Sequence, residues 1–446
     1  MVMKNVKNFF SKGLVVLLPS LLISCASYVD HTREMREQVY SGKYGAALEK
    51  LEASEVKSSS NELLYYLEKA TLLNRLGKLD ESRKLLFKAD KLVDKLYTES
   101  ISKEVATFLV NDSVRDYPGE DYEKVAIHTQ LAFSFIEEGK FKEARVEAKK
   151  INSRLYEIQQ KYGDDYSAYK VDGFALFLSG LIFEKLGELD SAIIDYRKAL
   201  KTYEKGFLAG NAVPESLVKS LYVAALRRGR SNVVSEVKES YPELVKGLSK
   251  ESTGFVYIAQ GFPVIPKFSQ SFVLSGRSGL LRYSWPIIPK VYVPSPYFDL
   301  EVNGRSEEFE LAQDLNKIAR ETLESNRTRM TVKNVARLVA KARAAQEVEN
   351  RMGPLAGLIA NIFNAATETA DTRSWSLLPG RIYIGRSFLD PGKYKVTSRS
   401  PSGKDSSDEA LRKGEMKFFI LKEGVKKPEE EKKEKKSFDQ IKRASL

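Results

Sequence analysis

The chain has 446 residues, with 72 Lys and Arg against 60 Asp and Glu, a net charge of +12, one cysteine and two histidines. One cysteine excludes an internal disulfide framework and a cysteine metal cluster, and His31 and His128, far apart in sequence, make a poor zinc site. The length suggests two or three domains, and no run beyond the amino terminus approaches the roughly 20 apolar residues a spanning helix needs.

The amino terminus comes first. Lys4, Lys7 and Lys12 precede the apolar run from Gly13 to Ser24, and the lone Cys25 follows directly. A basic start, a short apolar stretch and a small residue before the cut make a secretory signal peptide over 1–24. The sequence Leu22-Ile23-Ser24-Cys25 resembles the lipobox of bacterial lipoproteins. That resemblance implies cleavage between Ser24 and Cys25, acyl chains on Cys25 and a short lipidated tether over 25–30. Two or three acyl chains hold firmly, at about 0.8 kcal/mol per buried CH₂. Ala26 in place of aspartate points to the periplasmic face of the outer membrane, with the inner membrane and the cell surface as alternatives.

Four similar segments begin at Gly42, Gly77, Gly139 and Gly187. An apolar residue follows two positions on, and Ala47, Ser82, Ala144 or Ala192 follows five positions on. Glycine suits the tight turn of a helical hairpin, and a small residue lets its two helices approach. Gly180 stands seven residues before Gly187, while Tyr196 and Ala199 complete that copy. The pattern resembles the tetratricopeptide repeat, but its spacing departs from the regular 34 residues. An irregular tetratricopeptide-like α-solenoid over 31–250 is expected, with Gly77, Gly139, Gly180, Gly187, Ala144, Ala192, Tyr196 and Ala199 as its structural positions. Such arrays leave a concave face that commonly takes a peptide or protein.

Past Ser252 the periodicity changes. Val, Ile, Tyr, Phe and Pro over 253–304 predict strands with edge positions for the prolines. Residues 305–370 predict a helical insert of two helices, the second capped by Thr331. Leu355 to Ala366 is apolar and uncharged, with a buried core helix as the first expectation and an oligomer or membrane contact as others. Residues 371–421 return to strands around the turn Asp390-Pro391-Gly392 and pair with 253–304. The mixed-charge tail 422–446 has no core and predicts disorder. The fold class is therefore α+β and multidomain: a solenoid, then a β-sandwich-like domain with a helical insert. Trp375, next to Asp371 and Arg373, suggests a buried aromatic at a domain joint, supported by an ion pair.

Five stretches together resemble one incompletely characterised group of bacterial tetratricopeptide-type cell-envelope lipoproteins. They are YPGEDYEKV from Tyr117, FKEARVEAKKIN from Phe141, DGFALFLSGLIFEKLGELDSAIIDYRKA from Asp172, GFPVIPK from Gly261 and ADTRSWSLLPGRIYIGR from Ala370. The resemblance implies a place near envelope lipoproteins that assist wall synthesis or secretion. Catalytic signals are poor. Ser54 to Lys57 and Ser235 to Lys238 spell SxxK without the accompanying elements of wall-active enzymes. The expected protein is a non-catalytic, lipid-anchored scaffold that organises envelope proteins, with no cofactor, metal or nucleic acid. A peptidoglycan- or glycan-binding module, or a structural part of an export complex, is the alternative.

Overall fold

The computed structural model describes residues 27–57, 59–103, 115–163, 171–205, 212–276, 279–292, 298–359, 369–400 and 403–422. Cys25, Ser24, the signal segment, the part of the apolar stretch from 360 to 366 and the tail from 423 lie outside them.

Among the described residues eleven α-helices come first. They are α1 (Tyr28–His31), α2 (Arg33–Tyr40), α3 (Tyr44–Ala53), α4 (Glu62–Arg75), α5 (Leu79–Lys103), α6 (Asp121–Glu137), α7 (Phe141–Tyr162), α8 (Gly173–Lys185), α9 (Leu189–Glu204), α10 (Glu215–Arg228) and α11 (Ser231–Ser240). From α2 onward they form hairpins with one turn chemistry. Gly42, Gly77, Gly139, Gly187 and Gly229 all have φ between +69° and +78°. The amide after each glycine donates to a carbonyl five residues back, as in Lys78 N to Leu73 O and Glu188 N to Phe183 O, both 2.9 Å. Such caps satisfy carbonyls that a helix end leaves open, and only glycine enters the left-handed region without a Cβ penalty. The turn at Gly229 is built like the others, although its sequence copy is faint.

Ala47, Ala144, Ala192 and Ala199 are wholly buried at the helix crossings. Gly180 of α8 packs directly on the Tyr196 ring of α9, and a Cβ there would meet ring carbons inside contact distance. The ring cannot retreat easily, because its hydroxyl donates to Glu184 at 2.6 Å. Gly180→Ala is expected to lower stability by about 1–2 kcal/mol, overpacking outweighing the gain in helix propensity. A urea midpoint measured beside that of the parent chain checks it.

Among the described residues ten strands follow: β1 (Gly254–Gln260), β2 (Phe268–Gly276), β3 (Gly279–Ile287), β4 (Asp299–Val302), β5 (Arg305–Ser306), β6 (Glu310–Asp314), β7 (Arg381–Arg386), β8 (Gly392–Ser400), β9 (Gly403–Leu411) and β10 (Met416–Lys422). A 38-residue helix, α12 (Leu315–Met352), separates β6 from β7. One sheet has the order β10-β1-β7-β6 and a second the order β5-β4-β8-β9. Every residue of β1 is buried, which its alternation explains. Val256 and Ile258 join the core of the solenoid, while Phe255, Tyr257 and Ala259 pack with Leu300, Val302, Val396 and Leu411 of the second sheet. Successive strand residues point to opposite faces, so a strand between two apolar layers is apolar throughout. The molecule is thus three layers: helical hairpins, first sheet, second sheet.

Several expectations need correction. The tether does not extend to residue 30: Tyr28 opens α1 and is buried, its hydroxyl donating to Glu68 at 2.9 Å. The helical insert begins at Leu315, not 305, because 305–314 contributes β5 and β6 to the two sheets. It is one helix where two were expected, and Thr331 lies inside it, bonded to the Tyr283 hydroxyl at 3.1 Å. Strands β2 and β3 join neither sheet; they form their own two-stranded ribbon. Leu355 and Leu358 are exposed, against the core-helix expectation. Lys422 ends β10 rather than opening the tail, and pairs with Glu137 at 2.6 Å. Among the described residues no helix is long and apolar enough to cross a membrane.

Candidate interaction surfaces

The face formed by the first helices of the hairpins (α4, α6, α8 and α10) is covered by the chain's own residues 371–386. Glu68 of α4 accepts from the amides of Ser376 (2.7 Å) and Leu377 (3.0 Å) and from the Ser376 hydroxyl (2.6 Å). Glu123 of α6 accepts from the Trp375 amide at 2.7 Å. Glu184 of α8 accepts from the two terminal guanidinium nitrogens of Arg386 at 2.8 Å, and Ser220 of α10 accepts from the same arginine at 2.8 Å. The Trp375 indole, fully buried, donates to Thr71 at 3.0 Å. Arg373 pairs with Asp371 at 2.7 Å and donates to the carbonyls of Ser60 and Arg115. Three buried carboxylates thus bind three successive parts of one segment. An extended peptide on such an array would be held in the same way, by side chains gripping its backbone amides.

Burial drives the electrostatics. It pushes Glu68 up, against the bonds from Ser376, Tyr28 and Leu377. Burial and then the charge of Glu120 push Glu123 up to about 7, against Lys267 and the Trp375 amide. Glu184 goes the other way: burial would raise it, but the charges and bonds of Arg386, then Arg227, hold it below the ordinary value. On α6, His128 sits buried between Glu147 (2.9 Å) and Asp90 (3.3 Å). Burial lowers its pKa, but the bonds to those carboxylates raise it by more.

The signs agree for Glu123 and His128. Each has a folded pKa above its ordinary value, so each contributes most below that value and loses its contribution as pH rises through the folded one. For Glu123 the window runs from 4.5 to about 7. Stability is expected to fall across it by on the order of 2–3 kcal/mol, and Glu123→Gln to flatten that slope. Denaturant midpoints at a series of pH values check both.

The outer faces of the second helices differ. Tyr97 of α5, Val146 and Tyr156 of α7 and Ile194 of α9 are large, apolar and exposed. A separate surface is the arm made by the β2–β3 ribbon on α12. Between them lies a groove of about 700 Å³ lined by Phe272, Tyr283 and Trp285 on the ribbon and by Val335, Leu338 and Val339 on the helix.

The sequence-derived positions of the repeats lie at turns and helix crossings, not at either surface. Ser54 caps the end of α3 and donates to Leu51 O at 2.7 Å; Ser235 is exposed on α11. Among the described residues no group of three or more His, Cys, Asp or Glu is placed to hold a metal. Sequence reading missed Glu68, Glu184 and Arg386, and for Glu123, an acid at a helix start, it missed the partner. One signal was available: α8 reads GFALFLSGLIFEK, eleven uncharged residues with Ser179 the one polar side chain before Glu184. A helix apolar all round is buried, and an acid at its end then needs a partner.

The fold is an array of tetratricopeptide-like helical hairpins sealed on one face by a two-sheet β structure. No protein-family model and no curated protein matches the chain. Among solved structures it is similar to one described as MamA AMB-1, with 14% identity over 50% of this chain and 93% of that one, TM-score 0.30. A Podosopora anserina putative kinesin light chain with nearly identical TPR-like repeats matches at 15% identity over 48% and 92%, TM-score 0.31. BtubC (BKLC) from P. vanneervenii matches at 16% over 48% and 77%, TM-score 0.30.

Proposed function

We propose that the protein is a non-catalytic, lipid-anchored scaffold of the bacterial cell envelope, held through Cys25 at the periplasmic face of the outer membrane. It gathers envelope proteins on the outer faces of its second helices. The observation that carries this reading is the sealed inner face. With Glu68, Glu123 and Glu184 spent on residues 375–386, a protein partner has the second helices left, and these display Tyr97, Val146, Tyr156 and Ile194. These four exposed side chains lie on the second helices of three successive hairpins, the surface left to a partner.

The test is photocrosslinking in living cells from a reactive amino acid at Tyr156 or Ile194, with mass spectrometry of the adducts. One or two envelope proteins captured from these positions, and absent from a control at Lys393 on β8, support the scaffold. Peptidoglycan fragments alone replace it with a wall-binding module. The anchor is tested separately by metabolic labelling with an alkyne fatty acid. Label on the parent chain that disappears in Cys25→Ala supports acylation, and label that persists removes it.

A further inference from the structure

We infer that the arm formed by β2, β3 and the middle of α12 seats the protein on an anionic phospholipid surface. The first ground is charge. Residues 253–298 contain no Asp or Glu, and neither do residues 325–346 of α12, which carry six Lys and Arg. In a chain with 60 acids, an acid-free ribbon (268–287) beside the acid-free middle of α12 is a strong local asymmetry, even with Arg337 buried and Arg327 reaching Glu324 at 3.3 Å. Polybasic segments are drawn to anionic lipid, each cation near the surface changing affinity about fivefold.

The second ground is the pattern of the ribbon. In register, Phe272 opposes Tyr283 and Gln270 opposes Trp285, while Ser271 opposes Ser284 and Val273 opposes Arg282. One face is aromatic; the other carries serines, Val273 and Arg282. The three aromatic rings form a cluster with centroids 5.4–5.7 Å apart. Aromatic side chains beside cations suit the membrane interface, where one end of a ring is apolar and the other wet.

The third ground is exposure. Phe272 is 45% exposed, Val335 49% and Val339 48%, all at the groove, with Arg327 and Arg343 at its margin. Exposed apolar residues continue past the groove through Met352, Leu355 and Leu358, farther than a short bound peptide would cover. A second copy is disfavoured, since two arms face to face oppose cation to cation. The groove accepts an acyl chain or the interfacial layer of a bilayer, and the arginines at its margin meet phosphate.

The site also fits the proposed anchor, and in this it extends that reading. Tyr28 bonds Glu68, which holds Ser376; the adjacent Trp375 is held by Glu123, whose capping partner Glu120 pairs with Lys267, the residue before β2. The amino terminus and the root of the arm therefore leave the same polar network. The three residues from Cys25 to Tyr28 span at most about 10 Å.

The experiment is vesicle flotation of the chain from Ala26 to Leu446, which keeps every described residue and has no acylation site. Vesicles are phosphatidylcholine alone or mixed with phosphatidylglycerol. Binding is expected only to the anionic vesicles, weakened by salt, with a blue shift of Trp285 emission. Arg327→Gln with Arg343→Gln should lower the partition coefficient about 25-fold, and Phe272→Ser with Val339→Ser should abolish the blue shift. All four positions are exposed or at the groove margin, and circular dichroism verifies that the variants fold. No binding, equal binding to neutral vesicles, or binding indifferent to both double variants would overturn the inference. A photocrosslinker at Phe272 that captures an acidic protein in cells, with no vesicle binding, would assign the arm to a protein partner. Because Cys25 is missing from the tested chain, failure here leaves the acylation result untouched.

Discussion

Glu184→Ala is expected to be among the most damaging single substitutions in the chain, at about 3–5 kcal/mol. The carboxylate is buried and accepts from Arg386 twice at 2.8 Å, from Arg227 at 3.0 Å and from Tyr196 at 2.6 Å. Removing it leaves Arg386, itself buried, without its counter-charge beside a solenoid helix. The cost lies in the stranded cation and not in the worth of the pair, since a buried pair roughly balances its own desolvation. Glu184→Leu combined with Arg386→Met should therefore cost less than Glu184→Ala alone. Urea unfolding of the three chains decides the point: a double variant as damaged as the single would mean that the pair itself supplies the stability.

Trp375→Ala is the second large effect, also about 3–5 kcal/mol. The indole is the largest of the fully buried side chains. Its loss leaves a cavity between α4, α6 and the first sheet and breaks the bond to Thr71. Trp375→Phe should recover most of this, losing about 1 kcal/mol for the missing N–H. The alanine variant should also loosen residues 371–386. Proteolysis under native conditions, followed by mass spectrometry, is expected to cut there in Trp375→Ala and not in Trp375→Phe. Unchanged protection would show that Glu68, Glu123 and Glu184 hold the segment without it.

These two residues mark the limit of what the sequence discloses. The hairpin turns are legible because their requirement is local: a left-handed backbone needs glycine, and Gly77, Gly139 and Gly187 stand at fixed offsets from small residues. The burial of Trp375 is legible in kind, as an aromatic flanked by an ion pair. Its partners are not, because Glu68 and Glu123 look like any acid on a charged helix until residues some 250–300 positions later fold onto them. The start of the helical insert was placed too early for a similar reason. Residues 305–314 have helical spacing in isolation, yet β6 finds a partner in β7, and pairing across the chain overrides local preference. The ribbon β2–β3 has good strand sequence, but nothing in that sequence tells which sheet, if any, it joins.

The pairing of β1 with β10 sets an order of events. The two run parallel in register from Gly254 with Met416 to Gln260 with Lys422. A central strand therefore waits for residues synthesised some 160 positions later, and the inner face of the hairpins waits longer still. Glu68 and Ser376 are 308 residues apart. At synthesis rates of about 5–20 residues per second, Glu68 spends roughly 15–60 seconds without its final partners. During that interval the inner face of the hairpins lacks the segment that covers it in the folded chain. A chain truncated before Asp371 is expected to leave Glu68, Glu123 and Glu184 without these partners.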